Sequence, residues 1–246
     1  MKIVAVIPAR YGSHRFAGKP LADIAGKPMI VHVYERAASS AILDDLLVAT
    51  DDERIAEAVT RTNGRAVMTA KTHRSGTDRI AEAVAGLNLD PMDIVINIQA
   101  DQPLFDHRSI EQVIRPLTAD VGLPMSTLIY RITDEQEIND PNNVKVVMAV
   151  DGSALYFSRS RIPYLRGCPG TIPFYKHLGI YAYRRHFLTT FVQLPEGQLE
   201  SLEKLEQLRA LENGFRIMAV QTEYDSPEVD TPEQLARVAE ILNGLH

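Results

Sequence analysis

Through roughly the first half of the chain, short Val/Ile-rich runs alternate with amphipathic stretches of helical period. A strand buried on both faces reads as an unbroken apolar run, so this alternation predicts βα units around a mostly parallel sheet. Strands are expected at Ile3 to Ile7, Leu46 to Thr50, Ala66 to Met68 and Asp93 to Ile98, the last of them central and fully buried. Helices are expected from Pro28 to Ala38, from a cap at Asp51 or Asp52 to about Arg61, from Ser75 to Ala85, and from His107 to Thr118. From Met125 the pattern changes. Ser126 to Arg131, Val144 to Val150, Ala154 to Ser158 and Lys176 to Arg184 are strand-like with far less helix between them, which points to an added antiparallel layer or arm. Leu199, Leu202, Leu205, Leu208 and Leu211 recur at three-residue spacing and predict a helix with a core-facing leucine stripe. A last strand at Phe215 to Gln221 and a closing helix at Pro232 to Leu242 complete one domain over residues 1–246, without internal repeat or long Pro/Gly/Ser linker.

Charge and cysteine usage narrow the partners. A formal charge of −6 and a pI near 5.7 give no global attraction to nucleic acid or to an anionic membrane, so any phosphate ligand must be held by a local cluster. Cys168 is the only cysteine, which excludes an internal disulfide and a Cys-rich zinc site and makes a reducing cytoplasm the simplest setting. The N-terminal apolar run ends at Pro8 and Arg10, too soon for a signal segment or a membrane span, so a mature soluble protein is expected from residue 1 onward.

The loop from Pro8 to Pro20 follows the first strand and reads Pro-Ala-Arg-Tyr-Gly-Ser-His-Arg-Phe-Ala-Gly-Lys-Pro. In an open α/β sheet, ligands bind at the loops leaving the carboxyl ends of the strands. Three cations and two glycines there supply positive charge and backbone that can approach an anion closely, and a triphosphate is the natural guest. A solvated basic surface loop is the competing reading. A P-loop is excluded: Gly12 to Gly18 encloses five residues instead of four, and Pro20 stands where Ser or Thr would coordinate magnesium. The dinucleotide fingerprint Gly-x-Gly-x-x-Gly is also absent.

Asp101 comes shortly after the apolar run Ile94 to Ile98, which sets it at the sheet's carboxyl edge beside that loop. A carboxylate there can take magnesium, which combines one or two protein carboxylates with phosphate oxygens and water. Asp230, before the closing helix, offers a second oxygen donor. The structural alternatives are a helix cap for Asp230 and a turn before Pro103 for Asp101. Ser75-Gly76-Thr77-Asp78-Arg79 reads first as a helix cap, with its hydroxyls and amides also able to face a ligand.

The segment IPARYGSHRFAGKPLADIAGKPMIVHVYERA resembles the opening signature of the 3-deoxy-manno-octulosonate (KDO) cytidylyltransferases. The resemblance continues through VATDDERI, SGTDR, INIQADQP, VKVV, ALYFSRSRIP, KHLGIYAYRR, LEKLEQLRALENG and VDTPEQL, nearly end to end. It implies a Rossmann-like nucleotide-diphospho-sugar transferase fold, with a nucleotide-binding part over about residues 1–120, a sugar-binding and dimerisation part over about 121–225, and a closing helix over about 231–243. By resemblance, Arg10, Ser13 and Lys19 hold the phosphates of CTP, with the Ala9 and Gly12 backbone close to the nucleotide. Ser75, Gly76, Thr77 and Arg79 line the cytosine pocket together with Gln99. Asp101 and Asp230 bind Mg2+, and with Arg10 and Lys19 they form the catalytic set for in-line transfer of CMP to the sugar, as a step toward lipopolysaccharide.

The acceptor would be an acidic eight-carbon sugar, held by Arg159, His177, Tyr181, Glu206 and Gln207. His177 and Tyr181 could equally be a satisfied strand pair. Their i, i+4 separation would put them on one strand face. Glu206 could equally be a solvated charge on the leucine-striped helix, beside an exposed Glu200–Lys204 pair. A homodimer is implied, with the segment near residues 160–185 as the contact; an arm packed on its own chain would read the same. The chain has Ala100-Asp101-Gln102-Pro103 where the commonest family form is Gly-Asp-Glu-Pro, so Gln102 removes a negative charge near the site. Gln102 and the segment Arg166 to Phe174 are similar to a subgroup that activates the 8-amino-8-deoxy sugar. The rival readings are a cytidylyl- or uridylyltransferase for another sugar, such as a sialic acid, and a catalytically silent nucleotide-binding protein.

Overall fold

The structure, a computed structural model, describes residues 1–12, 18–167 and 172–244. Ser13, Cys168 and part of the segment from Arg166 to Phe174 lie outside the described residues.

The N-terminal half follows the expected βα order: β1 (Ile3–Ala9), the hairpin β2 (Asp23–Ile24) and β3 (Lys27–Pro28), α1 (Met29–Ala38), β4 (Asp45–Thr50), α2 (Glu53–Thr60), β5 (Ala66–Met68), α3 (Gly76–Ala85), β6 (Ile94–Asn97) and α4 (Arg108–Ala119). The remainder comprises β7 (Met125–Arg131), α5 (Glu135–Asn139), β8 (Lys145–Met148), β9 (Ala154–Ser158), β10 (Tyr175–Arg184), α6 (Arg185–Phe191), α7 (Gln198–Glu203), α8 (Leu208–Glu212), β11 (Ile217–Thr222) and α9 (Pro232–Gly244). Of the two caps considered for α2, Asp52 serves, accepting from Arg54 N at 3.0 Å. Ser75 caps α3 through Asp78 N at 3.1 Å.

One large sheet runs in the order β11-β7-β10-β6-β1-β4-β5, with β8 on β10 and β9 on β8. β1 is parallel to β4 and β6, β5 to β4, and β11 to β7. The anticipated antiparallel layer is therefore continuous with the main sheet. β10 is its hinge: it runs antiparallel between β6 and β7 and sits at the centre, buried along nearly its whole length. Because the β6–β10 and β10–β7 pairs occupy both its edges, β10 offers no free edge for strand pairing. Alternate residues of the strands feed two cores. Val4, Val6, Leu47 and Val95 pack with Ile80 and Val84 of α3 and with α6, whereas Ala5, Ile7, Val48 and Ile96 pack with α1, α2 and α4.

The leucine stripe does not form one helix. The chain breaks at Lys204, which adopts φ +54°, and leaves two short helices; Leu205 and Leu208 are buried but Leu202 is 72% exposed. A three-residue repeat drifts round a 3.6-residue helix, so no straight helix can bury all five leucines. Nor do Glu200 and Lys204 pair: Glu200 is buried and grips Arg209, at 2.5 and 2.8 Å. The helix α6 starts directly on the end of β10 with no side-chain cap, which is why no start signal marks it.

β10 carries a bulge between His177 and Tyr181, with Gly179 at φ +72°. Two glutamines fasten this bulge to the segment carrying Asp101. Gln99 Nε2 donates to Gly179 O at 2.9 Å and Gln102 Nε2 to Leu178 O at 2.5 Å, while Gln102 Oε1 accepts from Ser226 Oγ at 3.1 Å. Gln102 thus lies behind the cleft, wholly buried, in a position that demands one donor and one acceptor. Replacing it by leucine strands a buried carbonyl and a buried hydroxyl, each costing about 1–3 kcal/mol. Gln102→Leu is expected to lower the thermal midpoint by roughly 5 °C or more, measured by calorimetry.

Candidate active site

The carboxyl ends of β1 and β6 open onto a cleft, and the chain arranges the first loop to reach across it. Gly18 N donates to Tyr11 O at 3.0 Å, and Gly18 adopts φ +72° with its α-carbon against the Tyr11 ring, where a Cβ would come within 3.1 Å. Glycine is required there for both reasons. The single 3-10 turn that follows aims Lys19 inward, and its Nζ binds Asp101 Oδ2 at 2.6 Å and Asp230 Oδ1 at 2.9 Å. Burial alone would lower the Lys19 ammonium, but Asp101 and then Asp230 outweigh it and hold it above the usual lysine range.

The return segment after β11 brings Asp230 to this point. Lys176 Nζ holds Asp225 at 3.0 Å, Ser226 binds Gln102, and Val229 N donates to Asp101 O at 2.9 Å. The capping of α9 falls to Thr231, whose Oγ1 accepts from Gln234 N at 3.3 Å while Gln234 Oε1 accepts from Thr231 N at 3.0 Å. The Asp230 carboxylate, bound to Lys19, thus faces the cleft. Asp101 keeps one carboxylate oxygen, Oδ1, buried without a hydrogen-bond partner among the described residues. Two carboxylates converging on one cation, one with spare coordinating capacity, fit a hard divalent ion that takes its other oxygens from a phosphate. Among the described residues no cluster of three or more His, Cys, Asp or Glu could hold a metal by itself.

Two cavities adjoin at this centre. The first, of about 270 Å³, is lined by Ala9, Arg10, Lys19, Ser75, Gly76 and Gln99, among others. Arg10 is exposed at its rim; Gly12 is exposed nearby. Arg79 also lines it, but its guanidinium is committed to Asp51 at 2.9 Å and Thr69 at 2.5 Å, so it braces the wall. Thr77, grouped with the base pocket by sequence, instead belongs to the second cavity, where its hydroxyl donates to Glu206 Oε2 at 2.5 Å.

The second cavity, of about 300 Å³, gathers all five residues expected for the acceptor: Arg159, His177, Tyr181, Glu206 and Gln207. Gly76, Gln99 and Asp230 line both cavities, so the two meet at the lysine-bridged carboxylates. His177 and Tyr181 are neighbours for a reason that strand period does not give. Four residues of regular strand span about 13 Å, yet the bulge brings the two rings to 5.0 Å. Glu206 sits on the turn between α7 and α8, and burial raises its carboxyl above the usual range. Arg159 donates Nε to Glu203 O at 2.8 Å and Nη1 to Pro141 O at 2.9 Å, which anchors the wall at that end.

Among the cavity residues that escaped the sequence reading are Asn97 and Glu228. Asn97 ends β6 as the one polar residue of an apolar run, a signal that was present. Glu228 had none. Burial within the cleft, then the charges of Asp101 and Asp230, push its carboxyl up to about 7; solvent still reaches the residue, which makes the neighbouring charges the firmer cause.

Burial also pulls the His177 imidazole down to about 3, so the cavity presents a neutral ring. The unfolded chain takes up that proton near pH 6.5, so His177 adds stability above that value and loses it as pH falls toward 3. NMR titration is expected to show no inflection for His177 between pH 5 and 8; an inflection near 6.5 would contradict its burial.

Residues 4–217 match the family model described as Cytidylyltransferase. The chain is 61% identical over 243 residues to a 3-deoxy-manno-octulosonate cytidylyltransferase of Syntrophus aciditrophicus, covering 99% of this chain and 98% of that one. It is 55% identical over 236 residues to an 8-amino-3,8-dideoxy-manno-octulosonate cytidylyltransferase of Shewanella piezotolerans, covering 96% of each. A solved CMP:2-keto-3-deoxy-manno-octonic acid synthetase in complex with CTP superposes with a TM-score of 0.93 at 44% identity, over 100% of both chains. On this family match, and on identity that extends over nearly the whole length, the chain belongs to the cytidylyltransferases.

Proposed function

We propose that the protein transfers CMP from CTP to the anomeric hydroxyl of 3-deoxy-manno-octulosonate or its 8-amino-8-deoxy analogue. The observation that carries this reading is the junction of the two cavities at Asp101, Lys19 and Asp230, which sets a nucleotide site against an acceptor site. The sugar oxygen attacks the α-phosphorus of CTP in line, the bond to the bridging oxygen breaks, and pyrophosphate leaves. No protein nucleophile is needed, so positioning and charge supply the acceleration.

Asp101 and Asp230 would hold a magnesium ion, whose charge lowers the pKa of the attacking hydroxyl and offsets that of the phosphates. Lys19 and Arg10 bind the triphosphate. Gln99, fastened to Gly179, keeps the wall common to both cavities in place. His177 and Tyr181 supply a rigid aromatic face for the sugar, their rings 5.0 Å apart. No described helix is long and apolar enough to cross a membrane, and we read the enzyme as acting in the cytoplasm.

Pyrophosphate release should require CTP together with one of the two octulosonates, and not UTP or a sialic acid. Asp101→Asn is expected to lower turnover roughly 100-fold, about 3 kcal/mol of transition-state stabilisation, with an unchanged circular dichroism spectrum. Turnover near wild type would remove Asp101 from the mechanism.

We also read the enzyme as a homodimer, with Tyr164 of the segment near residues 160–185, 87% exposed, and the neighbouring Leu155, 61% exposed on a β9 that has only β8 as a full partner strand, as the candidate contact. Light scattering is expected to give twice the chain mass for the wild type and the single mass for Tyr164→Glu combined with Leu155→Asp. A monomeric wild type would exclude the assembly.

A further inference from the structure

Asn97 is an anomaly in its strand. It closes the apolar run of β6 at the centre of the sheet, 3% exposed, in register with Val6 on one side and Tyr181 on the other. Asn97 and Thr77 both lie beside the Tyr183 phenol and offset part of the rise that burial gives its pKa. Asn97 Oδ1 is buried with no partner among the described residues. Gln207 Nε2, on a residue 5% exposed, is in the same condition, and both residues line the acceptor cavity.

Buried amide groups in folded proteins are overwhelmingly paired, so an unmatched acceptor and an unmatched donor in one cavity call for an explanation. A polyhydroxylated ligand supplies both complements, since each hydroxyl donates once and accepts as well. The setting favours recognition: β6 is paired on both sides, so Asn97 cannot relax toward another partner without disturbing the sheet, and its oxygen is oriented before any ligand arrives.

We infer that Asn97 is an acceptor-binding residue, its Oδ1 accepting a hydrogen bond from one sugar hydroxyl while Gln207 Nε2 donates to another sugar oxygen. The assignment rests on the reading of the second cavity as the acceptor site. A purely structural Asn97 would act through Tyr183 alone.

Steady-state kinetics with an octulosonate acceptor, and calorimetry with CTP, separate the two. Asn97→Leu is expected to raise the acceptor KM about 10-fold or more, equivalent to about 1.4 kcal/mol, while the Kd for CTP stays within about twofold. Asn97→Ala, which adds no bulk, decides the matter if the leucine variant does not fold. Tyr183→Phe removes the neighbouring phenol and leaves Oδ1 in place, so its acceptor KM should move by no more than about threefold. Among monodeoxy acceptors, the one lacking the hydroxyl read by Asn97 should be used equally well by wild type and Asn97→Ala.

An unchanged acceptor KM in the Asn97 variants, an equal loss in Tyr183→Phe, a parallel loss of CTP affinity, or a uniform loss across the deoxy series would each overturn the assignment. Wild-type protein that turns over no acidic sugar would instead sink the acceptor reading itself, and this assignment with it.

Discussion

The ammonium of Lys19 between two carboxylates is the interaction on which the cleft depends. Its partners lie 82 and 211 residues away in sequence, so it joins the first loop, the end of β6 and the return from β11 at a single point. Three charges of mixed sign are cheaper to enclose together than any one alone, because each supplies the field that the lost water supplied. The same grouping is adaptable. A polyphosphate entering with a hard cation offers Lys19 new acceptors and the two aspartates a new counter-charge, so the local charge balance survives the exchange.

Around that point, polar fastenings set the register of the segments that carry the two aspartates. Gln99 and Gln102 hold the Asp101 segment to the β10 bulge, and Lys176, Ser226 and Val229 N hold the Asp230 segment to β10 and to Asp101. Hydrogen bonds are directional where hydrophobic packing is not, so they can fix a carboxylate to a fraction of an ångström. The neutral Gln102 makes sense in this setting: a carboxylate could accept from Ser226 but could not donate to the Leu178 carbonyl.

Sequence patterning made the doubly wound half of the fold legible because β1, β4 and β6 are strands buried on both faces and α1 to α4 have one apolar side. It also brought Asp101 to the correct edge, since strand direction and a short turn leave few alternatives. The failures share a cause. The place of β10 inside the sheet, the bulge that pairs His177 with Tyr181, the break at Lys204 and the place of Glu228 on the cavity wall are all decided by contacts distant in sequence, which local period cannot register. The residues lining the second cavity were named through family resemblance, and only the fold explains why Arg159 after β9, His177 and Tyr181 of β10 and the α7–α8 turn meet.

The reversed strand at the middle of the sheet has a consequence for how the chain matures. β6 acquires its second neighbour only when Tyr175–Arg184 is in place, so the N-terminal half has an open hydrogen-bonding edge until three quarters of the polypeptide has emerged from the ribosome. That half is no autonomous module, and excision of it would yield a sticky fragment rather than a small CTP-binding domain. The late-arriving strand also carries the aromatic wall of the second cavity, so closing the sheet and completing that cavity are one event.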